Sequence, residues 1–181
     1  MRYARGLLLL IVPLLIAGCF MISSNPVSQL LEGKRAGVFV FLAPDCPLSQ
    51  NYTSTLNELR NQFMAAGIEF FGVFAGPFAT EGSEEFVTTY KIGFPVEKDS
   101  DFRITDFFGA TTTPQAFVVD ATGHTLYDGA IDNRAPELGQ FRTVITENYL
   151  RDALQSVIDE KDVAIRKTTP VGCFIERPDP S

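Results

Sequence analysis

An almost unbroken apolar run, Ala36 to Ala43 (AGVFVFLA), stops at Pro44-Asp45-Cys46-Pro47, and a helical periodicity begins directly behind it. A short run rich in Val and Phe suits a strand covered on both faces of a sheet. Leu48, Tyr52, Leu56, Leu59 and Phe63 then recur at spacings of three and four, with Asn57, Glu58, Arg60 and Asn61 between them. That is the pattern of an amphipathic helix, ending near Gly67. Strand, tight turn and helix in this order open a βαβ unit.

The rest of the chain continues the alternation. Ile68 to Phe74 (IEFFGVF) is a second apolar run of strand length, and Ser83 followed by Glu84 and Glu85 reads as the capped, acid-rich start of a second helix. A helical crossover between the two runs implies that they pair in parallel. A short helical patch near Ile104 to Phe108 precedes Thr113-Pro114-Gln115, which leads into the strand Ala116 to Val119. Asp120-Ala121-Thr122-Gly123 supplies turn chemistry, and His124 to Tyr127 alternates as the returning strand of a hairpin should. Leu150, Leu154, Val157 and Ile158, with Thr146 as a cap, make a last helix ending near Lys161. The order β-α-β-α-β-β-α predicts an α/β domain: a central mixed sheet flanked by helices, with a hairpin at one edge. A length of 181 residues suits one such domain.

The first residues read differently. Arg2 and Arg5 precede an apolar stretch from Leu7 to Ile16, interrupted only by Pro13, which is short for a membrane-spanning helix and reads as a secretion signal over residues 1–18. Its close, Ile16-Ala17-Gly18-Cys19, resembles the lipobox of bacterial lipoproteins, whose Cys is acylated and becomes the new N-terminus. That resemblance implies that Cys19 is a lipid tether, because two or three acyl chains anchor stably where one does not. The other reading is an ordinary signal peptide or an uncleaved anchor in which Cys19 has no such role. Residues 19–29 then form the lipidated end and a linker, with Ser23, Asn25 and Pro26 as spacer.

Without Arg2 and Arg5, 13 basic residues face 22 acidic ones, a net charge of −9. No run of Lys or Arg is present, which argues against nucleic acid as a partner and against electrostatic adhesion to anionic lipid. Membrane attachment would come from the lipid. Phe20 is not an Asp-type retention signal behind the acylated Cys, so in a cell with two membranes the outer one, facing the periplasm, is the expected location in the envelope.

Two segments carry a resemblance to a known family. FVFLAPDCPLS delivers a Cys-Pro turn from a strand to a helix start, and TTTPQAFVVDATG holds a proline ahead of a strand. In that order and separation they resemble the thioredoxin superfamily, specifically its redoxin or AhpC/TSA-like branch, over about residues 30–161. The resemblance implies a thioredoxin fold, a cis bond before Pro114, and a position for Pro114 and the Thr113 backbone against Cys46.

A thiol at a helix start faces unpaired N–H groups and the positive end of the helix dipole, both of which favour the thiolate, and Pro47 suits the first helical position. Asp45 opposes ionisation, so a modest lowering of the Cys46 pKa is expected. Reductases of this fold use Cys-x-x-Cys, whereas Cys46-Pro47-Leu48-Ser49 carries a hydroxyl that can orient a thiolate but cannot resolve a mixed disulfide. The peroxiredoxin pattern is also broken: where it needs Thr and Pro this chain has Ala43 and Phe39, which disfavours peroxidase activity.

With Cys19 acylated, Cys46 and Cys173 are the remaining thiols, in a compartment where disulfides persist. Three roles stay open for Cys173, in the tail of residues 162–181: resolving thiol, second ligand of a soft-metal pair, or bystander in a disordered tail. Val171, Phe174 and Ile175 favour a docked tail over a disordered one. Asp132, Asn133 and Arg134 read as a polar cluster at a strand end or as a surface turn.

The resulting expectation is a membrane-anchored thiol-disulfide oxidoreductase acting on protein thiols or disulfides, or on a small-molecule thiol. Cys46, Pro47, Ser49, Thr113, Pro114 and Cys173 would form its site, with no cofactor and no metal. The rival is a non-catalytic or copper-handling member of the same fold. Gln50 and a lone His124 in a turn speak against copper, since copper handlers of this fold carry Cys-x-x-x-Cys with a His.

Overall fold

The computed structural model describes residues 25–177, so the signal segment, Cys19 and the last four residues lie outside the described part. Strand β1 (Ala36–Phe41) runs down the middle of a five-stranded sheet. On one side it pairs in parallel with β2 (Ile68–Ala75), which pairs in parallel with β3 (Val96–Asp99). On the other side it pairs antiparallel with β5 (Gln115–Asp120), which forms a hairpin with β6 (Thr125–Gly129). The spatial order is β3-β2-β1-β5-β6. This is the mixed sheet of a thioredoxin fold, as the sequence pattern and the resemblance imply.

Among the described residues, four α-helices complete the layers: α1 (Pro47–Phe63), α2 (Ser83–Thr89), α3 (Arg103–Phe108) and α4 (Tyr149–Ile158). Because side chains alternate across a strand, Ala36, Val38 and Val40 of β1 face Leu56, Leu59 and Phe63 of α1 and Leu150 and Leu154 of α4. Phe39 and Phe41 point the other way, into a layer with Phe71, Val73, Phe117 and Ile104. There the Phe39 and Phe71 rings stack at 5.0 Å, and Phe108 of α3 lies 5.0 Å from Phe39. Every residue of β1 is buried, which explains why its sequence has no polar alternation. A fully buried Phe on such a strand contributes about 1.5–3 kcal/mol, so β1 anchors both layers.

The structure departs from the sequence pattern in local ways. Strand β3 is extra: its Val-Glu-Lys-Asp sequence gives no apolar signal because it lies at the sheet edge, with Asp99 alone buried. Asp99 accepts from the Ile104 and Thr105 amides and the Thr105 hydroxyl, which fixes the start of α3. Gly82, not Ser83, occupies the cap position of α2, at a φ of +74° that favours glycine, and the Ser83 hydroxyl donates to the Ala79 carbonyl. Helix α4 starts later than expected, behind Asn148, because Thr146 is engaged instead with the side chain of Asn133. A further small antiparallel sheet joins β4 (Thr112–Thr113) to β7 (Cys173–Phe174). Among the described residues, no helix is long and apolar enough to cross a membrane.

Candidate functional site

The junction between β1 and α1 aims Cys46 as follows. The chain leaves the sheet at Phe41 and turns so that the Cys46 amide donates to the Ala43 carbonyl at 3.2 Å. Cys46 then stands at the cap position of α1 in extended geometry, with Pro47 opening the helix. Proline fits there because its missing N–H would have no helical partner. Two side chains of the first turn brace the bend from inside: the Ser49 hydroxyl accepts from the Ala43 amide at 3.2 Å, and Gln50 Nε2 donates to the Pro44 carbonyl at 2.8 Å.

The second strand-delivered loop meets this turn. The Thr113–Pro114 peptide bond is cis, and the Cys46 thiol donates to the Thr113 carbonyl across 3.1 Å. Gln115, at the start of β5, holds the loop by accepting from the Thr111 and Thr112 amides and donating to Asp128 at 2.7 Å. Cys46 itself is fully buried, at 0% exposure.

The third component comes from the C-terminal stretch. Behind α4 the chain crosses the outer edge of β6, where the Asp128 and Thr168 amides donate to Arg166 and Asp128 carbonyls, each at 3.0 Å. The Thr168 hydroxyl accepts from the Ala130 amide at 2.9 Å and bonds the Tyr127 hydroxyl at 2.7 Å. The chain then runs over the cis-proline loop as β7, with Cys173 paired to Thr113 and the Ile175 amide donating to the Thr111 carbonyl at 2.9 Å. Two glycines make room for this strap. A Cβ on Gly129 would collide with Thr168, and one on Gly172 would collide with the Thr113 carbonyl.

The strap brings the two free cysteines together, because Cys173 pairs with Thr113, whose carbonyl accepts from the Cys46 thiol. Burial pushes the Cys46 thiol up, but hydrogen bonds from the Cys173 thiol, the Ser49 amide, the Cys173 amide and the Ser49 hydroxyl outweigh it, so its pKa falls below the ordinary value. The Cys173 thiol is pushed up to about 12 by burial, by the hydrogen bond and charge of Cys46, and by the Asp45 charge. Asp45, expected from its position to oppose ionisation of Cys46, thus bears on Cys173. The two shifts run in opposite directions, so Cys46 is the more acidic thiol of the two.

Pro47, Ser49, Thr113, Pro114 and Cys173 therefore all lie around Cys46. His124 sits apart in the β5–β6 turn, exposed and 3.9 Å from Asp120. Among the described residues, no group of three or more His, Cys, Asp or Glu is placed to hold a metal ion. Asp132 is buried and forms a polar cluster: the Tyr52 hydroxyl donates to it at 2.5 Å, and Arg134 lies 3.5 Å from its carboxylate and 4.9 Å above the Tyr52 ring. Tyr52 reads in sequence as one more core position, and nothing marks its hydroxyl. Gly129, Thr168 and Gly172 escape sequence reading too, because their role appears only once the path of the strap is known.

The sequence model of the AhpC/TSA family matches residues 23–127. No curated protein matches the chain. Among solved structures, an uncharacterized conserved protein from Geobacillus kaustophilus superposes with a TM-score of 0.72 at 21% identity, over 82% of this chain and 80% of that one. A hypothetical protein from Sinorhizobium meliloti gives 0.71 at 23% identity, over 84% and 85%. A protein from Chlorobium tepidum named as a thiol:disulfide interchange protein DsbE gives 0.53 at 18% identity, over 73% and 82%. At these identities the likeness is one of fold.

Proposed function

The chain belongs to the AhpC/TSA family, and on that premise we propose that it is a thiol-disulfide oxidoreductase in which Cys46 and Cys173 form the working pair. The observation that carries this is the contact between a buried thiol of lowered pKa at a helix start and a second thiol held beside it by the strap. It supplies from a distance the partner that Ser49 cannot be.

In the forward direction the Cys46 thiolate attacks a substrate disulfide, forming a mixed disulfide on Cys46 and releasing one substrate thiolate. Cys173 then loses its proton and attacks the Cys46 sulfur, so that the Cys46–Cys173 disulfide forms, the second substrate thiolate leaves and the substrate is reduced by two electrons. The charge distribution favours this order. While Cys46 is a thiolate, its charge and hydrogen bond keep Cys173 protonated; once Cys46 is bonded to substrate, both influences vanish and Cys173 ionises more readily. Ser49 and the Thr113 carbonyl orient the Cys46 sulfur. Reaching Cys46 requires the two-residue β7 to lift, since the sulfur is covered.

The substrates in this reading are protein disulfides or a small disulfide, met outside the cytoplasm, with the chain tethered by lipid on Cys19. The residue pattern at 16–19 supports the tether. Cys173→Ala is expected to trap substrate covalently on Cys46 when challenged with a disulfide-bonded protein such as insulin, whereas Cys46→Ala traps none. A Cys173→Ala protein whose Cys46 stays unreactive at neutral pH overturns the reading. Non-reducing mass spectrometry of protein extracted from membranes tests the acylation of Cys19 separately.

A further inference from the structure

We infer that the tether on Cys19 holds the domain with its thiol end turned away from the membrane, so that its disulfide substrates are soluble proteins and not segments lying on the bilayer that carries it. This rests on the acylation of Cys19 proposed above and adds which partners the Cys46 turn can meet.

Named contacts fix what lies at each end of the sheet. Strand β1 carries the chain from Ala36 to Phe41 and on toward Cys46, and β5 runs antiparallel beside it, with Gln115 opposite Phe41 and Asp120 opposite Ala36. The cis-proline loop before Gln115 therefore lies at the Cys46 end, and the β5–β6 turn at the other. Asn25, the first described residue, is fastened to that far turn. Its Nδ2 donates to the Thr122 carbonyl at 3.3 Å, and a Cβ on Gly123 would collide with it. From Asn25 inward the chain is held. The Val27 amide donates to Asn25 Oδ1 at 3.0 Å, the Ser28 amide donates to the Asn25 carbonyl at 3.1 Å, and Val27 and Leu31 are buried in the layer of Phe39, Phe71 and Phe117. The Arg35 amide then donates to the Gly67 carbonyl behind α1, so the last turn of that helix shares this end.

The lengths decide the orientation. Residues 19–24 are all that separates the acylated Cys from Asn25, and a chain of that length reaches at most about 20 Å. Helix α1 runs from the Cys46 end back to the Asn25 end over 17 residues, about 25 Å. To set the Cys46 turn down on the bilayer, the tether would have to pass the whole length of the body, which exceeds its reach, and any partner held between would add its own thickness. Tipping the body onto its side points the Cys46 turn along the surface and not into it. Charge does not draw the body down either, since Lys34 and Arg35 at the Asn25 end are paired with Glu69 and Glu160 and offer anionic lipid no basic patch. A tether that cannot span to a site gives it almost no effective concentration, so disulfides at the membrane surface are shielded from Cys46 although they share its membrane.

The test uses the full acylated chain, extracted from bacterial membranes and reconstituted in phosphatidylcholine vesicles carrying rhodamine on a fraction of the headgroups. In a Cys46→Ala/Cys173→Ala background, a donor dye is placed by His124→Cys on the exposed β5–β6 turn, or by Glu81→Cys on the exposed loop beside Gly82, which packs on Pro44 at the Cys46 end. Energy transfer to the headgroups is expected to be at least about twofold greater from position 124 than from position 81, as a height difference of about 25 Å requires. Equal transfer, or more from position 81, overturns the inference and leaves the tether and the thiol pairing intact. Failure to recover acylated chain with the membranes overturns the tether, and this inference with it. The choice of partner is read with the native thiols, reduced, and one disulfide-bonded peptide presented either free or tied by a short spacer to a lipid headgroup. The tied peptide is expected to be reduced about tenfold or more slowly, and a Gly-Ser insertion of about 20 residues after Ser23 to restore its rate. Equal rates for tied and free peptide, or a lengthened tether that restores nothing, overturn the inference. Reduction of neither peptide overturns the redox reading and the choice of partner together, and the energy-transfer ratio still decides the orientation.

Discussion

The strap is held at two places by unlike means. Its root, residues 166–168, is locked to β6 by backbone bonds to Asp128, by the Thr168 hydroxyl between Tyr127 and Ala130, and by close packing on Gly129. Its tip, residues 172–175, rests on the cis-proline loop through a two-residue ladder, with Phe174 in solvent. A fixed root with a light tip keeps Cys173 at high effective concentration beside Cys46 and still lets it move aside, since the tip can open without unfolding the root. A tip as tightly held as the root would bury Cys46 permanently. A root as loose as the tip would turn the proposed attack of Cys173 on Cys46 into a search.

The comparison breaks most severely at Gly129. A side chain there meets the backbone of Thr168 as well as its hydroxyl, so nothing flexible can yield. Gly129→Ala is expected to lower stability by about 2–3 kcal/mol in urea unfolding and to abolish formation of the Cys46–Cys173 disulfide at equilibrium with glutathione. An unchanged unfolding midpoint would mean that the root is not the tight end.

Gly172 tests the tip, and its effect should be smaller and mostly chemical. The obstacle to a Cβ there is the Thr113 carbonyl, but three residues of chain separate Gly172 from the root, and the tip can lift. Gly172→Ala is expected to weaken the intramolecular disulfide by about tenfold, or about 1.4 kcal/mol, while unfolding shifts by less than that. The Cys173 thiol is one of the groups whose hydrogen bonds hold the Cys46 pKa down. Alkylation proceeds through the thiolate, so in the native protein its rate should plateau at a pH below that of an ordinary thiol. In Cys173→Ala, which removes that thiol and keeps the glycines that seat the strap, the plateau moves to higher pH, read as the midpoint of an iodoacetamide rate profile. An identical midpoint in the two proteins would show that the Cys173 thiol does not tune Cys46.

The contrast between root and tip also explains what the sequence displayed. The β1–Cys46–α1 junction is contiguous, and each part of it has a local signal: a Phe- and Val-rich strand, a proline at the helix start, a regular apolar stripe. The approach of Thr113 and Pro114 to Cys46 spans 67 residues, and it was readable through the family resemblance and not through any periodicity. The strap has neither source. Thr168, Gly172 and Cys173 sit in an irregular stretch whose course is set by contacts with Gly129, Asp128 and Thr113, each distant in sequence. Apolar residues in the tail argue that it docks, but not where, so the sequence alone leaves the position of Cys173 open. Strand β3 escaped for a different reason, since an edge strand with three charged residues in four satisfies backbone geometry without advertising a buried face.

Lys167 sharpens the comparison at its weakest point. Its ammonium lies 2.7 Å from Asp128 Oδ2, next to the backbone bonds that make the root, and by distance alone it looks like part of the lock. The side chain is 79% exposed, however, and an ion pair so open to water and salt contributes little beyond the entropy lost in holding it. Asp128 also has a better-protected partner in Gln115 Nε2, at 2.7 Å, so removing the lysine leaves no buried acceptor stranded. Lys167→Met is accordingly expected to change stability by no more than about 0.5 kcal/mol, to leave the glutathione equilibrium of the Cys46–Cys173 pair within a factor of about two, and to show less dependence on salt than the native protein. A loss comparable to that of Gly129→Ala would mean that the root is held by charge, and the strap would then loosen as ionic strength rises, which hydrogen bonds buried against β6 do not allow.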